Sequence, residues 1–281
     1  MSTQSNYKKD YEYSEIVGIG FSTYSPEQIK NLSVANITKT QLYDSNGEPT
    51  IGGLFDPKMG YIEPGKRCKT CFQTFITCPG HPGHIELAKP IFNIQYENEI
   101  VKILKCICIK CSKLLINKNN PWVKNLINTT KNNRKERFEK LYNVISKKSK
   151  KCGGMSEKPG SVFDFCGCGA VQPSKYINNI KSDSQIICEW KSDSNEGNQN
   201  DIVQYINAEI LLSIFKRISE EDAMIMGFSK DWCLPWWLII SILPVCPPCV
   251  RPSVRQYNNQ RSEDDLTHIY SSIIKNNTDL A

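Results

Sequence analysis

One run of residues constrains this chain more than any other. Cys68-Lys69-Thr70-Cys71 is followed by Cys78-Pro79-Gly80-His81 and then by His84, so the run reads C-x2-C-x6-C-x2-H with a second histidine three residues on. Four soft or borderline donors in two close pairs are what tetrahedral zinc requires, because a two-residue gap lets one tight turn aim both side chains at one ion. Gly80 and Gly83 are expected to let the backbone take positive φ, while Pro79 and Pro82 stiffen it. The competing reading is a disulfide pair or scattered buried thiols. The chain has 13 cysteines and a polar start at residues 1–13 without the apolar stretch of a signal peptide, which favours metal in a reducing compartment. A RING-type arrangement is excluded, since the interleaved eight-ligand order is missing.

A second cysteine constellation is spread more widely. Cys108 and Cys111 form one C-x2-C with an extra thiol at Cys106. That is half a tetrahedral site, and its other half must come from Cys152 and one of Cys166 or Cys168, beyond a basic helical segment at 121–151. Cys106 and Cys188 are read as buried or free thiols. Cys246-Pro247-Pro248-Cys249 taken alone is a redox pair or a metal half-site, but no βαβ pattern surrounds it and no second pair is left for it.

The 281 residues allow one large domain or two modest ones, and 40% hydrophobic with 23% charged residues marks a globular chain. The net charge of +6 is compatible with a nucleic-acid-facing surface without requiring one. Residues 131–151 hold a dense basic run that reads first as a solvated helix face and second as a phosphate-attracting patch. The apolar run at 232–250 is broken by Pro235, Pro244, Pro247 and Pro248. Its uninterrupted part is far below the roughly 20 residues a membrane span needs, so it is assigned to the core and no membrane partner is expected. Richness in Asn, Ile and Lys fits an AT-rich source such as a large DNA virus or a protist.

Local signals give a mixture of short elements. Residues 11–22 alternate weakly as a strand. Ser25-Pro26-Glu27-Gln28 carries a capping box, with Ile29, Leu32 and Val34 expected to face a core. Ser45-Asn46-Gly47 is a turn, 87–104 is a strand followed by a helix, and the polar stretch 192–200 is a hairpin tip or loop. Asn207 caps a helix with Ile210, Leu211, Ile214, Phe215 and Ile218 on one face, and Ser219 opens a shorter one that ends near Gly227. Ser262 is placed as the cap of a last helix, with Glu263, Asp264 and Asp265 in its first turn and an apolar stripe at Leu266, Ile269, Tyr270, Ile273 and Ile274. The fold class is α+β with more helix than strand.

Several motifs in fixed order carry a resemblance. They are Gly53-Leu54-Phe55-Asp56-Pro57 with Gly60, Cys78-Pro79-Gly80-His81 with Gly83-His84-Ile85, Ala88-Lys89-Pro90-Ile91-Phe92, Cys168-Gly169 with Gln172-Pro173, Leu243 to Ser253 with Val250-Arg251-Pro252-Ser253 at its end, and Arg261-Ser262-Glu263-Asp264-Asp265-Leu266-Thr267. Together they resemble the N-terminal clamp region of the largest subunit of multisubunit DNA-directed RNA polymerases, most closely the eukaryotic polymerase II type. Cys246 and Cys249 depart from the family pattern.

The resemblance implies a zinc-stapled clamp with two zinc ions, one on Cys68, Cys71, Cys78 and His81 and one on Cys108, Cys111, Cys152 and Cys168. Cys166 and His84 are the open alternatives. It implies residues 1–60 as an N-terminal strand and helix segment of the clamp core, 61–190 as a zinc-bearing clamp head, and 191–281 as a helical clamp core with the first arm of a coiled coil. The family's Asn-Ala-Asp-Phe-Asp-Gly-Asp signature, which holds catalytic magnesium, does not occur in these 281 residues. The expectation is therefore a split-gene piece or truncated product that acts within a complex. Implied partners are the rest of the largest subunit, the second-largest subunit, other polymerase subunits, initiation or elongation factors, DNA and the RNA–DNA hybrid. The implied location is the nucleus, or a cytoplasmic virus factory or virion. The alternative is a stand-alone zinc module that binds a polymerase or its factors without joining catalysis.

Overall fold

The computed structural model describes residues 15–16, 21–148, 151–153, 161–191, 202–255 and 261–281. Most of the strand expected at 11–22, Ser149 and Lys150 of the basic run, and the polar tip at 192–200 lie outside the described residues. The described helices are α1 (Pro26–Leu32), α2 (Glu97–Cys106), α3 (Pro121–Thr129), α4 (Arg134–Lys148), α5 (Ile180–Asp183), α6 (Ala208–Lys216), α7 (Glu220–Met226) and α8 (Asp265–Leu280). The strands are β1 (Gly83–Phe92), β2 (Lys175–Asn179), β3 (Gln185–Trp190), β4 (Ile202–Ile206), β5 (Ile239–Val245), β6 (Val254–Arg255) and β7 (Arg261–Ser262). This is a mixed α+β chain with small antiparallel sheets: β1 with β5, β2-β3-β4 in that order, and β6 with β7.

Local chemistry explains most element boundaries. The Gln28 amide donates to Ser25 Oγ at 3.0 Å and the Ser25 amide donates to Gln28 Oε1 at 2.8 Å, a closed capping box that starts α1. The expected core face of α1 is weaker than its pattern: none of its residues is buried and Leu32 is exposed. Asn120, Asn207 and Ser219 cap α3, α6 and α7, and Gly227 at φ 95° ends α7 in the left-handed region.

The single basic helical segment expected at 121–151 is two helices, parted where Thr130 turns the chain. Arg137 reaches back to bond Thr130 Oγ1 and Thr130 O, both at 3.1 Å, and the Met224 carbonyl at 3.0 Å. Arg137 is thus a buried tie between α4 and α7 and not a member of a surface patch. Lys140 pairs with Glu136 at 2.7 Å, one turn away on α4.

The last helix starts later than the sequence pattern places it. Asp264 accepts from the Leu266 amide at 2.9 Å and is the cap, while Ser262 belongs to β7, so only Asp265 of the three acids lies in the first turn. Its stripe divides. Ile274 is buried, Tyr270 and Ile273 pack partly, and Leu266 and Ile269 stay exposed.

Two apolar clusters hold these elements. The larger gathers α2, α3, α4, α6 and β3, with Cys106, Cys108, Cys152 and Cys188 inside it. The smaller joins Ala35, Ile37, Leu54, Met59, Ile85, Val245 and Ile274 under the β1–β5 pair and α8. The β1–β5 register shifts between Glu86 and Ile91. Asn277 of α8 serves the backbone there, accepting from the Ala88 amide at 2.7 Å and donating to the Glu86 carbonyl at 2.8 Å. No helix among the described residues is long and apolar enough to cross a membrane.

Candidate metal centres

Two backbone turns of one design present the paired cysteines. The Phe72 amide donates to the Cys68 carbonyl at 2.9 Å and the Cys68 amide to the Gln73 carbonyl at 3.0 Å. In the second turn the Ser112 amide donates to the Cys108 carbonyl at 2.8 Å and the Cys108 amide to the Lys113 carbonyl at 2.9 Å. Each turn needs a left-handed residue directly after its second cysteine, and Phe72 and Ser112 both sit at φ 60°. Neither is glycine, so this feature gives no sequence signal of the usual kind. Bridges between Arg67 and Thr74 and between Ile107 and Leu114 close the two turns at equivalent places.

The turns meet their remaining ligands from different directions. In the first centre Cys78 and His81 follow on the same loop, and the His81 amide is fixed to the Met59 carbonyl at 3.0 Å. Gly80 takes φ 79°, as its position asks, but Gly83 does not take positive φ. It is the first residue of β1, where a Cβ would meet Met59 Sδ at 3.1 Å and the Ala35 carbonyl at 3.2 Å. In the second centre Cys152 and Cys168 are brought together by the Gly169 amide on the Cys152 carbonyl at 2.8 Å and the Cys152 amide on the Ala170 carbonyl at 2.9 Å. Gly153 and Gly167 press backbone on backbone there: a Cβ on Gly153 would lie 2.6 Å from Gly167 Cα and from the Phe165 carbonyl.

The donor atoms converge as a tetrahedral ion requires. The four ligand atoms of Cys68, Cys71, Cys78 and His81 all lie within 4.8 Å of one another, and so do those of Cys108, Cys111, Cys152 and Cys168. Cys71 Sγ is 3.5 Å from Cys78 Sγ, and Cys78 Sγ is 3.7 Å from His81 Nε2. Cys108 Sγ is 3.6 Å from Cys168 Sγ, and Cys111 Sγ is 3.5 Å from Cys152 Sγ. A tetrahedron with metal–sulfur bonds of about 2.3 Å has edges of roughly 3.8 Å, close to these separations and far from a disulfide's roughly 2.05 Å. All 13 cysteines are free thiols. Three thiolates with an imidazole, and four thiolates, are donor sets that suit zinc.

His84 and Cys166 stand outside both clusters. His84 Nδ1 is 2.7 Å from Ser33 Oγ and its Nε2 is 3.8 Å from Glu86 Oε1, so it ties β1 to the end of α1. Burial lowers the His84 pKa, which keeps the ring neutral. Cys166 is exposed. Cys246 and Cys249 have different partners: Cys246 Sγ lies 3.7 Å from the Tyr270 hydroxyl, while Cys249 Sγ lies 3.5 Å from the Pro79 carbonyl.

Electrostatics within the clusters show why three or four thiols are uncomfortable together without a cation. Hydrogen bonding led by His81 holds the Cys71 thiol down at about 7, while burial pushes its neighbour Cys78 up to about 11. Burial also pushes Cys111 and Cys152 up. At Cys168 burial is outweighed by the Ala170 amide and the three facing thiols, and the group is held at about 7. A divalent cation would take the cysteines as thiolates, with His81 as neutral imidazole in the first cluster, and remove the need for protons between them.

Gln172 is a supporting residue that its sequence position alone does not reveal. It is buried, donates from Nε2 to Cys108 Sγ at 3.3 Å and to the Ala170 carbonyl at 2.9 Å, and accepts from the Ile109 amide at 3.3 Å. It orients a ligand from behind, as outer partners do in metal sites.

Comparison with known proteins bears on the whole chain. The family described as RNA polymerase Rpb1, domain 1, matches residues 13–281. The chain belongs to this family. It is 39% identical over 269 residues to DNA-directed RNA polymerase II subunit RPB1 of Euplotoides octocarinatus, an alignment covering 96% of this chain and 54% of that relative. The chain thus spans about half the length of the curated relative it matches. For a member of the Rpb1 domain 1 family, both cysteine clusters fall inside the matched residues.

Proposed function

We propose that this chain is the clamp part of the largest subunit of a DNA-directed RNA polymerase, a module that closes over template DNA and the RNA–DNA hybrid. The observation that carries the reading is the family match across residues 13–281, which spans both convergent cysteine-rich clusters. The clusters take one zinc each, on Cys68, Cys71, Cys78 and His81 and on Cys108, Cys111, Cys152 and Cys168. Each ion ties down loops that have little core of their own, and structural zinc supplies on the order of 10 kcal/mol of folding free energy. A stiff module of this kind can move as a unit over nucleic acid.

The nucleotidyl transfer belongs to the complex, with magnesium held outside these residues. The partners are the remainder of the largest subunit, the second-largest subunit, further subunits and factors, DNA and the hybrid. The likeness to an RNA polymerase II subunit supports a place within the polymerase itself, in the nucleus. The segments 1–60, 61–190 and 191–281 serve as clamp core entry, zinc-bearing head and helical core with a coiled-coil arm. The exposed Leu266 and Ile269 on α8 support an apposed helix at that arm. The test is affinity purification of the tagged chain from its native source, with metal measured on the same sample. Co-purification of the second-largest polymerase subunit with two zinc ions per chain is expected. A chain that elutes alone with zinc bound would instead be a stand-alone metal module.

A further inference from the structure

Arg251 is the largest fully buried side chain among the described residues, and its hydrogen bonds go to three separate segments. Its Nε donates to the Cys246 carbonyl at 3.0 Å, one terminal nitrogen donates to Thr267 Oγ1 of α8 at 3.0 Å, and the other donates to the Leu54 carbonyl. The guanidinium lies between two rings, 5.3 Å from the Phe55 centroid and 5.7 Å from that of Tyr270 on α8.

Two of these segments are bolted to the first metal loop. Residues 57–59 accept from it three times: the Lys69 amide on Pro57 O at 3.1 Å, Thr70 Oγ1 on Lys58 O at 2.7 Å, and the His81 amide on Met59 O at 3.0 Å. The segment 246–250 lies directly on the turn between ligands Cys78 and His81. A Cβ on Gly80 would collide with Cys249 Sγ and would come within 2.9 Å of the Pro247 ring. The same segment touches α8 a second time, where the Cys246 amide lies 3.5 Å from the Tyr270 hydroxyl.

We infer that the first metal centre sets the position of α8, and that Arg251 is the positioning residue that carries the coupling. The path is short and made of rigid parts. Metal fixes the loop 68–81, the loop fixes residues 54–59 and 246–250, and Arg251 locks both segments to the first turns of α8. Among the described residues the second centre has no such link, and Cys108 and Cys152 sit in the larger apolar cluster with α2, α3 and α4. The inference rests on a metal filling the first cluster. It makes α8, which carries exposed Leu266 and Ile269, a lever whose seat is built only when that metal is present.

The test is hydrogen–deuterium exchange on the full chain, with metal counted on each sample. Cys71→Ser is expected to speed exchange in residues 267–274 by about tenfold, while Cys111→Ser leaves that segment near wild type. Arg251→Lys is expected to keep two metal ions and a protected loop at 68–81, yet free α8 by a similar factor. Slow exchange at 267–274 in Arg251→Lys overturns the coupling, as does equal acceleration by Cys71→Ser and Cys111→Ser. If Cys71→Ser does not accumulate as folded chain, Arg251→Lys decides alone. A wild-type chain that binds no metal at the first cluster fails the metal reading in the count itself, and the coupling falls with it.

Discussion

Burial and contact geometry sort the cysteines into those that converge in the two clusters and those that stand apart. Cys106 and Cys188 are fully buried in the larger cluster, and burial pushes both thiols up to about 12. At pH 7.5 a thiol of that kind is thiolate in only about one molecule in ten thousand or fewer, so it does not react. Brief alkylation of the metal-loaded chain should label exposed Cys166 and Cys249 and spare Cys106 and Cys188 until the fold opens, which peptide mass spectrometry reads directly. Metal counting separates the ligand alternatives. Cys168→Ser and His81→Asn should each lose one ion, whereas Cys166→Ser and His84→Asn should keep both, because the last two residues stand outside the clusters. The convergence of these side chains was legible in the sequence because close cysteine pairs have few other uses. The choice between Cys166 and Cys168 was not legible from spacing, since it depends on the Gly169 and Ala170 backbone bonds to Cys152, which only the folded loop displays. Phe72 and Ser112 were equally hidden, because a left-handed φ at a non-glycine residue is imposed by the turn around it.

At the scale of elements, helix starts were read well where a cap and a core face agreed and badly where acids were simply plentiful. α6 and α7 begin at Asn207 and Ser219 as their patterns indicate. At α8 the run Ser262-Glu263-Asp264-Asp265 offers several oxygens that could cap, and pairing of β6 with β7 decides the matter by holding Ser262 in a strand. Asp264→Ala should therefore destabilise the chain by about 1 kcal/mol and Ser262→Ala by much less, measured as a difference in thermal midpoint. Equal shifts would place the cap elsewhere. The β1 irregularity follows the same logic. Pro90 has no amide to give to a ladder, the register shifts across it, and Asn277 from a distant helix takes over two of the backbone bonds. Nothing local in the sequence announces that partnership.

For the whole molecule, the two candidate metal sites are embedded differently, and this should govern how the chain comes apart. Cys108 and Cys152 are members of the larger apolar cluster, so the second centre and the helical core share their burial. The first centre hangs on a loop that exposes Phe72, Phe75 and Ile76, and it touches the smaller cluster through Met59. Removing a ligand from the second centre leaves charged or polar sulfur inside the main core with its partners unfilled, which is among the costlier changes a fold can suffer. Removing one from the first centre releases surface loops and the segments seated on them. Cys152→Ser should lower cooperative unfolding stability by several kcal/mol and loosen α2, α3 and β3 together, whereas Cys71→Ser should leave that helical core protected. Denaturant melts followed by far-ultraviolet circular dichroism, with metal release recorded by a chromophoric chelator, test the order. The first centre should give up its ion before the main transition, and the second should give up its ion within it. Simultaneous release of both ions would mean that the two clusters unfold as one unit.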